Sequence, residues 1–219
     1  MEGQELDTQE REWIQQAWEA AVSVQSHLDA LLLATPHPVE KEAPHDKYLA
    51  INQSRVRRIR KHLAKVGLND GLLEAVSRVA PGSRMLVLNE YWCGDGAQIL
   101  PVHEAVMAHS SGVLEVRVLL RDQHDEVMDM FFTNGARSIP KTALLNPHCR
   151  VLGTWGPRPS EAMDLVHRLK ANPETAPTYN HVLHKWYAND RQHAIQREMS
   201  VLLAHAPVSY THLTLPTTD

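Results

Sequence analysis

Cysteine is scarce in this chain: Cys93 and Cys149 are the only two among 219 residues. A single disulfide is the most they allow. With no basic-then-apolar leader in the polar, acidic residues 1–13, both read as free thiols of a reducing, cytoplasmic compartment. Long apolar runs are missing too; none approaches the ~18 residues of a membrane span. There is no excess of positive charge. The formal net charge of −4 argues against general affinity for nucleic acid or for a membrane. Phosphate-loop, dinucleotide-binding and serine-nucleophile motifs are absent, as are internal repeats. The hydrophobic fraction of 43% and charged fraction of 22% are those of an ordinary globular protein.

What is present is a sequence of helix and strand signals. Residues 8–34 carry one broad apolar face at helical spacing, Ile14, Trp18, Leu28 and Leu31 among it, and predict a single helix. A second helix is predicted over 48–66, closed by Gly67, and a third over 70–79 with Asp70 as its cap. Met85-Leu86-Val87-Leu88 suits a buried central strand, and 96–109 suits a helix bent at Pro101. A strand at 114–120, a helical stretch at 123–132 and a hairpin of 142–145 with 150–155 follow. Ser160 is the predicted cap of a helix reaching 171, and 179–204 predicts one more amphipathic helix.

Cys93 falls where the central strand hands over to the bent helix. Backbone N–H groups and the positive end of the helix dipole gather there, so a partly exposed thiol with a lowered pKa is expected. Asp95 works against this, since a neighbouring negative charge disfavours a thiolate. Gly96 stands where a Cys-x-x-Cys motif needs its second thiol. Cys149, at the start of a later strand, is expected to be a buried small hydrophobe. A single thiolate can open a disulfide but has no local thiol to release itself.

Four features carry a resemblance to the thioredoxin superfamily: Trp92-Cys93-Gly94, Pro101 eight residues after the cysteine, Ser138-Ile139-Pro140, and the set Cys93-Gly94-Asp95, 135–141 and 153–159. That last set is similar to a bacterial thioredoxin-like family with one active-site cysteine, over roughly residues 45–172. The resemblance implies an α/β thioredoxin-like core at 81–172; helical periodicity adds an N-terminal extension at 1–80 and a C-terminal helix at 173–207, and residues 208–219 read as a non-native tail. It implies that Cys93, Asp95 and a cis Pro140 form the catalytic group, with Trp92, Gly94 and Ile139 on the substrate side. Thioredoxins carry a buried carboxylate six residues before the cysteine; here that position is Val87, and Glu90 is the nearest acid.

Two functions follow as expectations. The first is a monothiol protein exchanging with protein or small-molecule thiols and disulfides, with no cofactor beyond a low-molecular-weight thiol. In that case Gly96→Cys should restore some dithiol turnover. The second is a non-catalytic module that keeps the fold and uses the proline groove to hold a peptide or protein; metal or iron–sulfur binding across a dimer, as in monothiol glutaredoxins, ranks behind both. Arg121, Arg137, Lys141 and Arg158 are expected at the same end of the sheet, as carboxylate-binding groups or a solvated rim. The run Arg55, Arg57, Arg58, Arg60, Lys61, Lys65 reads as the solvated face of an amphipathic helix, and Trp155 as core. His181 and His184 share a helix face without completing a metal motif, so no metal site is expected.

Overall fold

A computed structural model describes residues 7–35 and 46–208. The helix expected over 8–34 is two: α1 (Thr8–Ala20) and α2 (Val24–Leu33). Between them Val22 and Ser23 form a short strand, β1 (Val22–Ser23), that pairs antiparallel with Val118 and Arg117. The Ser23 hydroxyl then caps α2 by accepting from the Ser26 N–H at 3.0 Å. An Asp7–Glu10 capping box starts α1. Pairing with the sheet edge overrides helical periodicity that continues on both sides of the break.

The remaining elements are α3 (Asp46–Val66), α4 (Asp70–Ser77), β2 (Ser83–Asn89), α5 (Gly96–His109), β3 (Leu114–Leu120), α6 (Asp125–Asp129), β4 (Lys141–Leu145), β5 (Val151–Trp155), α7 (Ser160–Ala171), α8 (Tyr179–Asp190) and α9 (His193–Leu203). Several differ from expectation for local reasons. The cap of α4 is Asn69, not Asp70, because the Asn69 Oδ1 accepts from the Leu72 N–H at 2.9 Å. At the start of α7 the Ser160 hydroxyl is turned away from its own helix and donates to Glu198 at 2.6 Å. The helix expected over 179–204 breaks where Arg191 and Gln192 both take left-handed backbone angles (φ 51° and 67°). The stretch 123–132 keeps only the five-residue α6 after a 3-10 turn.

The five-stranded sheet runs β1-β3-β2-β4-β5. Strands β2 and β3 are parallel, while β4 is antiparallel to both β2 and β5. Alternation along β2 divides the interior in two. Met85 and Val87 point into the core shared with α2, α3, α4, α5 and α9, whereas Leu86 and Leu88 join Ile14, Trp18, Val127 and Phe131 of α1 and α6. The two N-terminal helices thus serve opposite faces of one sheet. No helix among the described residues is long and apolar enough to cross a membrane.

Of the basic run on α3, Arg57, Arg58, Lys61 and Lys65 are exposed as expected. Arg60 instead bridges Asp29 at 2.7 Å and Glu104 at 2.5 Å, tying α2, α3 and α5 together. Arg55 is buried. Trp155 is core, with its indole N–H donated to Glu198 at 2.7 Å. Val208 pairs with Val79 in an isolated bridge, while the rest of the expected non-native tail lies outside the described residues.

Candidate functional site

Central strand β2 ends at Asn89 and α5 begins at Gly96, so the intervening loop carries Cys93 to the N-terminal end of that helix. Its sulfur accepts from the Gly96 N–H at 3.3 Å, and its thiol proton is donated to the Ile139 carbonyl at 3.4 Å. The Ile139–Pro140 peptide is cis, with Pro140 buried beside Ile139; the Gly156–Pro157 peptide is cis as well. Cys93 is not partly exposed, as the helix-start argument suggested, but only 5% exposed. Burial, and secondarily the Asp95 carboxylate, pushes its pKa up to about 12; the Gly96 and Asp95 amides and Arg158 oppose this and lose. Helix-terminal donors are present, but desolvation outweighs them.

Cys93 packs into the apolar cluster of Leu86, Leu88, Phe131 and Ile139, and α3 and α8 stand over the other side of its loop. A cavity of about 590 Å³ lies between them and the active-site loop. Its floor includes Trp92, Cys93, Gly94, Asp95 and Ile139; α3 contributes Tyr48, Ile51 and Arg55, and α8 contributes Tyr179, His181, Leu183 and His184. Sequence reasoning assigned Arg55 to the solvated face. The available signal was its register: Asn52, Arg55, Ile59 and Leu63 follow the buried stripe of α3, so a cation stood on the apolar side.

Electrostatics centre on Asp95, which is 7% exposed. One carboxylate oxygen takes an ion pair from Arg158 at 2.7 Å and the other accepts the Tyr187 hydroxyl at 2.9 Å. Burial alone would lower the pKa of Arg158, but Asp95 outweighs it and raises it. Tyr187 is held protonated, its pKa raised well above 10.0 by burial and by Asp95. Arg55 donates to Asn52 Oδ1 at 2.9 Å, and Asn52 in turn donates to the Tyr91 carbonyl. Burial lowers the pKa of Arg55, with Asp95 opposing. His184 is kept neutral, its pKa lowered to about 4 by burial and then by Arg55 and neighbouring cations.

The other expected cations separate. Arg121 lines the cavity, lies over the Trp92 ring at 4.9 Å and pairs with Asp122; Arg137 lines it and pairs with Asp129 at 2.6 Å and with Asp125. Lys141 turns away, buried and donating to Thr133. Val87 is wholly buried among apolar groups, and Glu90 does not replace the missing carboxylate: its Oε1 accepts from the Asp122 N–H at 2.8 Å. Cys149 is buried, in contact with Arg84 and Gln15. Among the described residues no group of three or more His, Cys, Asp or Glu could hold a metal ion.

The place of the second cysteine is filled. A Cβ built at Gly96 would stand 2.0 Å from Asn89 Oδ1 and 2.7 Å from its Cγ. Asn89 cannot easily move, because its amide N–H₂ donates to the Glu90 carbonyl at 2.9 Å and meets His27 Nε2 at 3.3 Å. Gly96→Cys is therefore expected to cost about 1–3 kcal/mol through overpacking instead of supplying a resolving thiol. Asn89→Ala/Gly96→Cys should relieve the clash and allow a disulfide between Cys93 and the introduced thiol under oxidation. Urea melts and thiol counts of both variants check this; full stability of the single variant would contradict the packing argument.

A helix-start cysteine facing a cis-proline segment, on a mixed sheet of this order, is thioredoxin architecture. A family model described as thioredoxin matches residues 42–172, more than half of the chain, and the chain belongs to that family. Among solved structures it is similar to a protein of unknown function from Pseudomonas aeruginosa, at 19% identity and TM-score 0.60, over 87% of this chain and 96% of the other. An HIV epitope scaffold is similar to the same degree, at 19% identity and TM-score 0.60, over 88% and 98%. At that identity the likeness concerns the fold. No curated protein matches the chain.

Proposed function

We propose that this protein is a binding module that keeps the thioredoxin fold and uses the cavity above Cys93 to hold a ligand. The carrying observation is the enclosure of the thiol: 5% exposed, donating its proton to Ile139, with no space at Gly96 for a partner, and with burial pushing its pKa up. A nucleophile needs the anion, and this site withholds it. In its place stands a pocket within the size range of small-molecule sites, its lining mixing apolar and aromatic side chains with charged and polar ones.

Monothiol exchange through Cys93 is the second reading. It is favoured by the Gly96 N–H directed at the sulfur and by the position of Cys93 on the cavity wall, where a small thiol or an extended peptide would arrive. In that reading Asp95 and Pro140 flank the reacting sulfur, while Trp92, Gly94 and Ile139 form the contact surface. One experiment separates the two. Alkylation of Cys93 is followed from pH 6 to 11 in a Cys149→Ser background, alongside mass spectrometry of adducts with a disulfide probe. A binding module gives slow alkylation with an apparent pKa well above the ordinary ~8.5 and no mixed disulfide at pH 7. A pKa below that value, with adducts accumulating on Cys93, transfers the assignment to monothiol exchange.

A further inference from the structure

The geometry points to a small molecule with one carboxylate on an apolar body as the occupant of this cavity, its carboxylate lying between Arg55 and Arg158. This rests on the binding-module reading and adds the chemistry of the ligand. Charge balance around the cavity carries it. Four arginines line the space and Asp95 is the one carboxylate among the lining residues. Two of the four are engaged by carboxylates outside the cavity, Arg121 by Asp122 and Arg137 by both Asp125 and Asp129. The remaining two, Arg55 and Arg158, share Asp95.

Arg55, Arg158 and Asp95 together carry one positive charge more than negative, on side chains that are largely buried. Arg55 is 8% exposed, and among the described residues its hydrogen-bond partner is the neutral Asn52, with no carboxylate at ion-pair distance. A buried cation without a counter-ion is costly and is replaced without loss by an apolar residue unless something uses it. Arg158 spends a terminal nitrogen on Asp95 and leaves its Nε buried without a partner; His184 Nδ1 is likewise buried and unpartnered. Gly94 lets the active-site loop lie directly against Arg55 and His184, since a Cβ there would come within 3.1 Å of Nη1. A carboxylate offers two acceptor oxygens and one negative charge, which matches the surplus; a dianion overshoots it.

The walls decide the rest of the ligand. Tyr48 and Ile51 are apolar side chains 40% and 48% exposed on the α3 side, facing a cavity whose other walls include Trp92, Tyr179 and Leu183. Burying them against an aromatic or aliphatic body is favourable in proportion to the apolar area removed from water.

4-Phenylbutyrate, its uncharged amide and inorganic phosphate are titrated into the full chain by calorimetry and two-dimensional NMR. The carboxylate is expected to bind and to shift Gly94 and Arg55 resonances, the amide at least tenfold more weakly, and phosphate without its apolar body more weakly again. Arg55→Met, an apolar replacement compatible with the buried stripe, should lose at least tenfold for the acid while leaving the amide unchanged. Arg58→Met, on the exposed face of the same helix, should lose nothing. Equal binding of acid and amide, or an undiminished Arg55→Met, overturns the carboxylate assignment and leaves the binding-module reading standing. Failure of all three probes also overturns it. The Cys93 alkylation profile judges the module reading separately.

Discussion

Asp95→Asn is expected to destabilise the protein by about 3 kcal/mol and, in the same molecule, to lower the Cys93 pKa from about 12. The two effects share one cause. Asp95 is the buried counter-ion of Arg158 at 2.7 Å, and asparagine retains an acceptor for the Tyr187 hydroxyl while removing the charge. Breaking a buried pair on one side costs about 3–5 kcal/mol, because the surviving charge stays desolvated. The Arg158 side chain is 20% exposed, which places the expectation at the lower end.

The thiol responds in the opposite sense. Asp95 disfavours a second anion beside it, whereas Arg158 favours one. Removing the carboxylate leaves only the favourable charge, so the pKa falls; burial, the larger cause, persists, so the fall is partial. Urea denaturation and the pH profile of alkylation, both in a Cys149→Ser background, read the two quantities. The double variant Asp95→Asn/Arg158→Met should recover part of the lost stability, as a cycle on contacting residues requires. A thiol that titrates higher in Asp95→Asn would sink this account. Asp95 thus stabilises the closed site at the expense of thiolate, which is the behaviour expected of a pocket rather than of a nucleophile.

Sequence legibility followed how local each signal was. The helix Gly96–His109 and the strand Leu114–Leu120 were readable to the residue, since Pro101 and the alternation of Val116 and Val118 lie within the elements they define. The breaks at Val22–Ser23 and Arg191–Gln192 were not. Apolar periodicity runs through both, and one is imposed by pairing with β3 while the other is a left-handed bend without glycine. The site divides in the same way. The place of Cys93 at a helix start was legible from Trp92-Cys93-Gly94 and the apolar run before it. Its burial was not, because the apolar cluster that encloses it draws on α1, α6 and Ile139, far from it in sequence. Asn89 was unreadable as the occupant of the missing thiol's space, since only the packed interior shows which side chain fills the room beside Gly96.

Acidification from pH 6.5 to 4 should progressively destabilise the protein, chiefly through the buried His27 and His103, with the half-buried His184 acting in the same sense. His27 is 1% exposed and His103 wholly buried, and burial lowers the pKa of each from 6.5 to about 4. Their partners require the neutral ring. His103 Nδ1 faces the Ile99 carbonyl, which only accepts, so Nδ1 carries the proton and Nε2 accepts from the Thr142 hydroxyl at 3.1 Å. His27 Nε2 faces the Asn89 amide N–H₂ at 3.3 Å, and protonating it would set donor against donor beside Gly96. Because the folded pKa lies below the unfolded one, the unfolded chain binds more protons between the two values. Stability is therefore complete above pH 6.5 and is lost as the pH falls toward 4, at about 1.4 kcal/mol per pH unit for each histidine and about 3 kcal/mol in all from each. Glu90 and Asp190, raised by burial, act in the opposite sense. Urea midpoints at half-unit pH steps give the slope, and His103→Gln or His27→Gln should each remove about one proton from it. A stability that stays flat down to pH 4.5 would mean that these rings are protonated in the folded protein, and the packing described around Asn89 and Thr142 would have to be wrong.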